Sequence, residues 1–190
     1  MARGAAPRIG TGAEGPLERR LLWLTGLRLV VLTIFLIFTT TVYLRGLSLG
    51  SFSTVCALVT AGAAYFFAAV YASMLRMRRA LTAVARAQLV TDQLTWTALA
   101  YISGGATSGA TSLYGLTALS GAILLGGEGG LVAALAGAGW YVLLCAGFAL
   151  RIVTVPPDQP IDAYTTQWAD MGYPVFVNLL ALCVVTLLAS

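Results

Sequence analysis

Long apolar runs from about Leu21 to Ser190 leave this chain little choice of fold. A helix rises about 1.5 Å per residue, so about 20 apolar residues match a hydrocarbon layer about 30 Å thick. Runs of that length recur here, separated by Arg clusters or by Gly-rich and Pro-rich breaks. Only 9% of the residues are charged, against about 25% in soluble domains. The polar surface of a soluble fold is missing. The expected class is all-α: a polytopic membrane protein built as a six-helix transmembrane bundle, in contact with the lipid bilayer.

The runs place helices at about 21–44, 52–75, 83–103, 112–125, 131–153 and 174–190. Pro174 suits the first turn of the sixth. Residues 1–18, rich in Gly, Ala, Pro and Arg, read as a disordered basic tail. The signal-peptide alternative fails, because the first apolar run follows Arg19-Arg20 and is too long for an h-region. Arg3, Arg8, Arg19, Arg20, Arg76, Arg78, Arg79 and Arg86 fall in the tail or around the connection between helices two and three. Only Arg45 and Arg151 fall on the opposite side, with Arg28 inside helix one. The positive-inside rule therefore puts the N-terminus in the cytoplasm, and six spans return the C-terminus there. The longest outer connection, about 154–173, holds Asp158, Asp162, Asp170 and three prolines. About 20 residues cannot build a globular sensor domain. The sixth run is still apolar at Ser190, so a soluble cytoplasmic part is expected downstream.

Composition removes several chemistries. There is no histidine, which excludes bis-His haem, a Ser-His intramembrane protease, an HExxH metallopeptidase and a phosphoacceptor His within this segment. Cys56, Cys145 and Cys183 lie in apolar runs without CxxC spacing and read as small hydrophobes. The net charge of +4 sits at helix ends, not on one face, so nucleic acid is not an expected partner. No metal, cofactor or catalytic residue is expected in this segment.

The polar residues within spans are the candidate site. Gln88, Asp92 and Thr95 stand at i, i+4 and i+7 on helix three and share a face. A carboxylate in a span is costly and normally faces the bundle interior or a water-filled cavity. That makes the face a signal-contact candidate, with Arg28 as counter-charge. Plainer readings place Asp92 near the cytoplasmic interface, pair it with Arg28 or Arg86 for packing, or let Arg28 snorkel. The stretch Ser103-Gly104-Gly105 to Ser108 reads as a sharp outer reversal, its hydroxyls capping freed backbone groups. It carries no GxxxxGK[ST] phosphate loop. Ala64, Ala68 and Ala72, and Gly130, Ala134 and Ala138, recur every four residues and suit close helix packing or a dimer seam. Trp23, Tyr43, Tyr101, Trp168 and Tyr173 suit interfacial belts, while Trp96 and Trp140 read as core.

Three segments then stand in order: Gln88-Leu-Val-Thr-Asp92, Tyr101-Ile-Ser-Gly-Gly105, and Ser108 followed by Leu113-Tyr114. Together they resemble the membrane input region of PilS/NtrB-like two-component sensor histidine kinases. The Arg-Leu-Leu-Trp-Leu start and the Arg28-Leu-Val-Val segment are similar as well. One departure is Gly109, where the family often has Pro. The resemblance implies a nearly loop-free six-helix sensor module in the bacterial inner membrane. It also implies a homodimer, cytoplasmic kinase domains beyond the segment, and a response regulator reached through them. Its ligand would be a membrane protein or a lipid. Signal-contact candidates are Gln88, Asp92, Thr95, Ser103, Gly104, Gly105, Ser108 and Tyr114. Alternatives are a small transporter or channel subunit using Asp92 as coupling carboxylate, and a non-catalytic membrane assembly subunit.

Overall fold

A computed structural model describes residues 23, 26–27, 29–34, 37, 41, 50–77 and 81–189. The expected tail at 1–18, the belt residue Tyr43 and the counter-charge Arg28 lie outside the described residues. Those described between 23 and 41 are helical and are labelled α1. Then follow α2 (Phe52–Arg76), α3 (Leu81–Ile102), α4 (Leu113–Leu125), α5 (Gly127–Ala149) and α6 (Trp168–Ala189). Two 3-10 turns, Gly105–Thr107 and Gly109–Ser112, lie between α3 and α4, and a third, Ile161–Ala163, lies between α5 and α6. The described residues contain no strand.

Three described helices are long and apolar enough to cross a membrane: Phe52–Met74, Gly127–Ala149 and Trp168–Ala189. α3 has the length, 22 residues, but carries its polarity inward. Gln88, Asp92, Gln93 and Thr97 are buried, whereas Val90 and Leu94 are exposed. A soluble helix shows the opposite pattern; a helix solvated by lipid puts apolar side chains outward and polar ones toward its neighbours. α3 is accordingly the hub, packed on α2, α4 and α5. α2 meets it through Ala57, Ala61, Ala64, Ala68 and Tyr71, all buried. Tyr71 Oη lies 2.8 Å from Thr91 Oγ1.

Consecutive helices run back and forth between two ends. At one end Ser53, Tyr101, Thr154 and Asp158 meet; at the other Arg86 pairs with Glu128. That ion pair uses Arg86 across the bundle to α5. α4 and α5 form the tightest contact. A Cβ added at Gly121 would lie 2.5 Å from the Gly129 carbonyl oxygen, so only glycine permits this approach.

Three expected boundaries are corrected. α5 starts at Gly127 rather than near 131, because Gly129 and Gly130 are contact surface against α4, not a break. It ends at Ala149 rather than near 153: Arg151 takes φ 58°, and the Ile152 and Val153 amides both return to the Gly147 carbonyl at 2.9 Å. This is a left-handed helix stop built without glycine. α6 starts at Trp168, leaving Pro174 inside the helix and Asp170 in its first turn rather than in a loop. The Asp170 carboxylate suits a helix N-terminus, and Met171, fully buried, anchors the turn. Trp140, expected in the core, is only partly buried; Trp96 is 2% exposed and does lie in the core.

Candidate functional site

The α3 stripe opens on a crevice between α1, α3 and α4. Leu27 and Val31 form one wall, and Gln88, Leu89, Asp92 and Trp96 form the floor. Leu116, Thr117, Ser120 and Leu124 close it. The space is about 40 Å³, room for roughly two or three waters. Trp96 Nε1 donates to Thr117 Oγ1 at 2.9 Å, fixing the indole as part of the floor. A smaller crevice behind it, about 10 Å³, is lined by Leu32, Ala64, Phe67, Thr91, Asp92, Thr95 and Trp96. Asp92 therefore borders both crevices, Gln88 one and Thr95 the other. Thr95 also donates to the Thr91 carbonyl at 3.0 Å.

The turn candidates sit elsewhere, at the opposite end of α3. Gly104 and Gly105 take φ of 119° and 62°, conformations that require glycine. Gly105 also lacks room, since a Cβ would meet the Phe148 ring at 3.0 Å and the Tyr164 ring at 3.2 Å. Ser103 donates to the Leu99 carbonyl at 2.6 Å, and its oxygen lies 2.6 Å from Ser108 Oγ. Ser108 Oγ in turn accepts from the Ala110 amide. Ser103 and Ser108 are buried at 8% and 3% exposure. The reversal keeps its expected hydroxyl-to-backbone bonds, and part of it is also folded inward, with Tyr164 of the α5–α6 connection against Gly105. A crevice of about 180 Å³ reaches it, lined by Ser103, Gly104, Thr107, Gln159, Ala163 and Tyr164. Tyr114 lies inside the core. Its hydroxyl is 2.8 Å from Thr97 Oγ1, and its ring packs on Tyr141.

The covering connection is strapped down at named points. The Ser53 amide and hydroxyl each donate to the Asp158 carboxylate at 2.7 Å, which also caps the start of α2. Burial pushes the Asp158 carboxyl up, but these hydrogen bonds outweigh it and hold the group below its ordinary value. Tyr164 donates to the Tyr101 carbonyl at 2.9 Å, and Tyr101 donates to the Thr154 carbonyl at 3.1 Å. Burial pushes the Tyr164 phenol up to about 12, so it remains a donor across physiological pH.

The sequence model of the PilS-like transmembrane domain, a six-span domain, matches residues 12–189. The chain belongs to that family. No curated protein and no solved structure matches it. The matched range takes in every described helix of this PilS-like domain, including the short α4.

Two groups in the PilS-like domain escaped the sequence reading. Gln93 is fully buried, and its amide donates to the Ala133 carbonyl at 2.8 Å and the Tyr114 carbonyl at 3.3 Å. Its tip rests where a Cβ of Gly137 would be. Asn178 of α6 bonds Thr111 and Tyr141. Both are amides that bond across to neighbouring helices, the use that polar side chains have in membrane bundles. The first stands one residue off the i, i+4, i+7 series through Asp92. The second stood unnoticed in an apolar run. Among the described residues no group of His, Cys, Asp and Glu is arranged to hold a metal ion.

Proposed function

We propose that this chain is the signal-input domain of a bacterial two-component sensor histidine kinase. It spans the inner membrane six times, with both termini in the cytoplasm. It works as a homodimer whose cytoplasmic kinase domains phosphorylate a response regulator. An intramembrane or juxtamembrane ligand, a lipid or a membrane protein segment, binds one helix packing better than another and shifts the population between them. The change leaves through α6. Membership of the PilS-like family supports the sensor assignment.

The observation that carries the contact assignment is the crevice in which Gln88 and Asp92 lie beside Trp96, between α1 and α4. A carboxylate and an amide at membrane depth are costly groups. Placed at the seam of three helices, they respond to anything that alters that seam. Ser103, Gly104, Gly105 and Ser108 have a second role in this reading: they form the hinge under the outer connection, and Tyr114 backs it.

The test is Asp92→Asn in the full-length protein, reading autophosphorylation with and without stimulus at matched membrane levels. The expected result is a change in basal or stimulated output of about tenfold, the effect of a coupling free energy of about 1.4 kcal/mol. Wild-type output in both conditions removes Asp92 from the site. Proton- or cation-coupled uptake into proteoliposomes, lost in the same variant, would mark a transporter instead.

A further inference from the structure

α6 is loosely held by apolar contact. Among its residues only Met171, Leu182 and Thr186 are buried. In lipid, apolar helix faces gain little from leaving the solvent, so directional polar bonds do most to set helix register. Asn178 ties α6 to both 3-10 turns, to the second directly and to the first through Tyr141 of α5. Its Nδ2 donates to Tyr141 Oη at 3.1 Å, and the Tyr141 hydroxyl in turn donates to the Ala106 carbonyl, in the first turn, at 2.8 Å. Its Oδ1 accepts from Thr111 Oγ1, in the second turn, at 3.0 Å. The other Nδ2 proton goes to the Pro174 carbonyl one turn back at 2.9 Å, which fixes the orientation of the amide.

The Thr111 hydroxyl has a second acceptor. Its oxygen lies 2.8 Å from the Ser108 carbonyl, within its own turn. A hydroxyl carries one proton, and neither acceptor can donate in return. The proton is therefore divided between the turn and α6, and a small shift of either element decides the division.

We propose that Asn178, Thr111 and Tyr141 form a polar clasp that fixes the rotation of α6 against the buried turns, and that moving the Thr111 proton from Asn178 to Ser108 releases α6. This rests on the reading above that α6 carries the output, and it assigns a residue-level device to that helix. The clasp lies directly beneath the outer connection. The Tyr164 ring of that connection touches the space at Gly105, and the chain enters α6 four residues later. A displacement of the outer connection thus acts on the turns and on α6 together.

The experiment uses the full-length protein carrying Asn178→Leu, Thr111→Val, Thr111→Ser or the Asn178→Leu/Thr111→Val pair. Basal autophosphorylation is read at matched membrane levels. The Leu and Val variants are expected to shift output in the same direction by about tenfold, with the pair going no further than Asn178→Leu alone. Thr111→Ser, which keeps the hydroxyl, stays at wild type. A second measurement needs no kinase: electron-spin distances in nanodiscs between labels on native Cys183 of α6 and on Leu119→Cys of α4, with Cys56 replaced by Ala. Asn178→Leu is expected to add a second distance population. Additive effects, a shifted Thr111→Ser, or unchanged output together with one unchanged distance would each overturn the clasp. Should Asp92→Asn be silent while the clasp variants act, the crevice reading falls and the clasp stands. With Asp92→Asn active and the clasp variants silent, only the clasp falls.

Discussion

Asp158 shows how one side chain can close a fold that has little polar surface to work with. Its carboxylate takes two hydrogen bonds from Ser53 and sits at the start of α2, where the helix dipole favours negative charge. The group's value in the folded protein is lowered from its ordinary one. Its stabilising contribution is therefore complete above about pH 3.9, the unfolded value, and is lost as pH falls through the lowered folded value. The expected result is a wild-type melting temperature a few degrees above that of Asp158→Asn at pH 6, with the gap closing as pH falls below about 3.9. Melting curves from pH 6 down to pH 2, followed by intrinsic fluorescence in detergent, measure this directly. A gap that persists at pH 2 would show that shape rather than charge is what Ser53 requires. The sequence marked Asp158 only as part of an acidic, stiff connection. Its partner lies 105 residues away, beyond the reach of any local pattern.

At the scale of elements, glycine carried two opposite meanings that the sequence alone did not separate. Gly104 and Gly105 read as a reversal and do adopt left-handed backbone. The stretch from Gly126 to Gly129 also read as a break, and Gly130 as the first of a small-residue packing series; only Gly126 (φ 71°) turns the chain, while Gly129 and Gly130 are helical and face α4. Both uses need a missing side chain, one for backbone freedom and one for proximity. Periodicity placed α2 and α3 to within two residues at each end, because their buried stripes repeat cleanly. The limits of α5 and α6 depended on contacts that periodicity does not carry: the packing of Gly129 and the burial of Met171. The hairpin gives a sharp test. Gly129→Val should cost about 1–3 kcal/mol, because the added atoms must push α5 off the backbone of α4. Gly139→Ala, on the same helix with open space around it, should be neutral or stabilise by up to about 1 kcal/mol through helix propensity. Reversible SDS unfolding of both variants measures the difference, and equal costs would mean that the two helices are not in backbone contact.

The whole molecule has two unlike ends, and the chain's charge separates them. One end carries the Arg86–Glu128 pair, and in the sequence Arg76, Arg78 and Arg79 fall between α2 and α3 or at the α2 terminus. The other carries the α5–α6 connection with Asp158 and Asp162, and Asp170 in the first turn of α6. Positive charge resists translocation, whereas acidic residues contribute little to orientation. In the orientation proposed above, the Arg-rich end is the cytoplasmic one and the strapped connection faces the periplasm. On that proposed orientation, the 180 Å³ crevice at Gly104 and Thr107 would open to periplasmic solutes, while the Asp92 crevice between α1, α3 and α4 would be entered from within the bilayer. Single cysteines on a background without Cys56, Cys145 and Cys183 test it. Thr107→Cys and Ile161→Cys, both exposed, should react with an impermeant maleimide in intact cells. Met77→Cys, also exposed, should react only after the inner membrane is opened. The reverse pattern would invert the bundle, put the Arg-rich end outside, and leave α6 emerging on the wrong side to drive a cytoplasmic kinase.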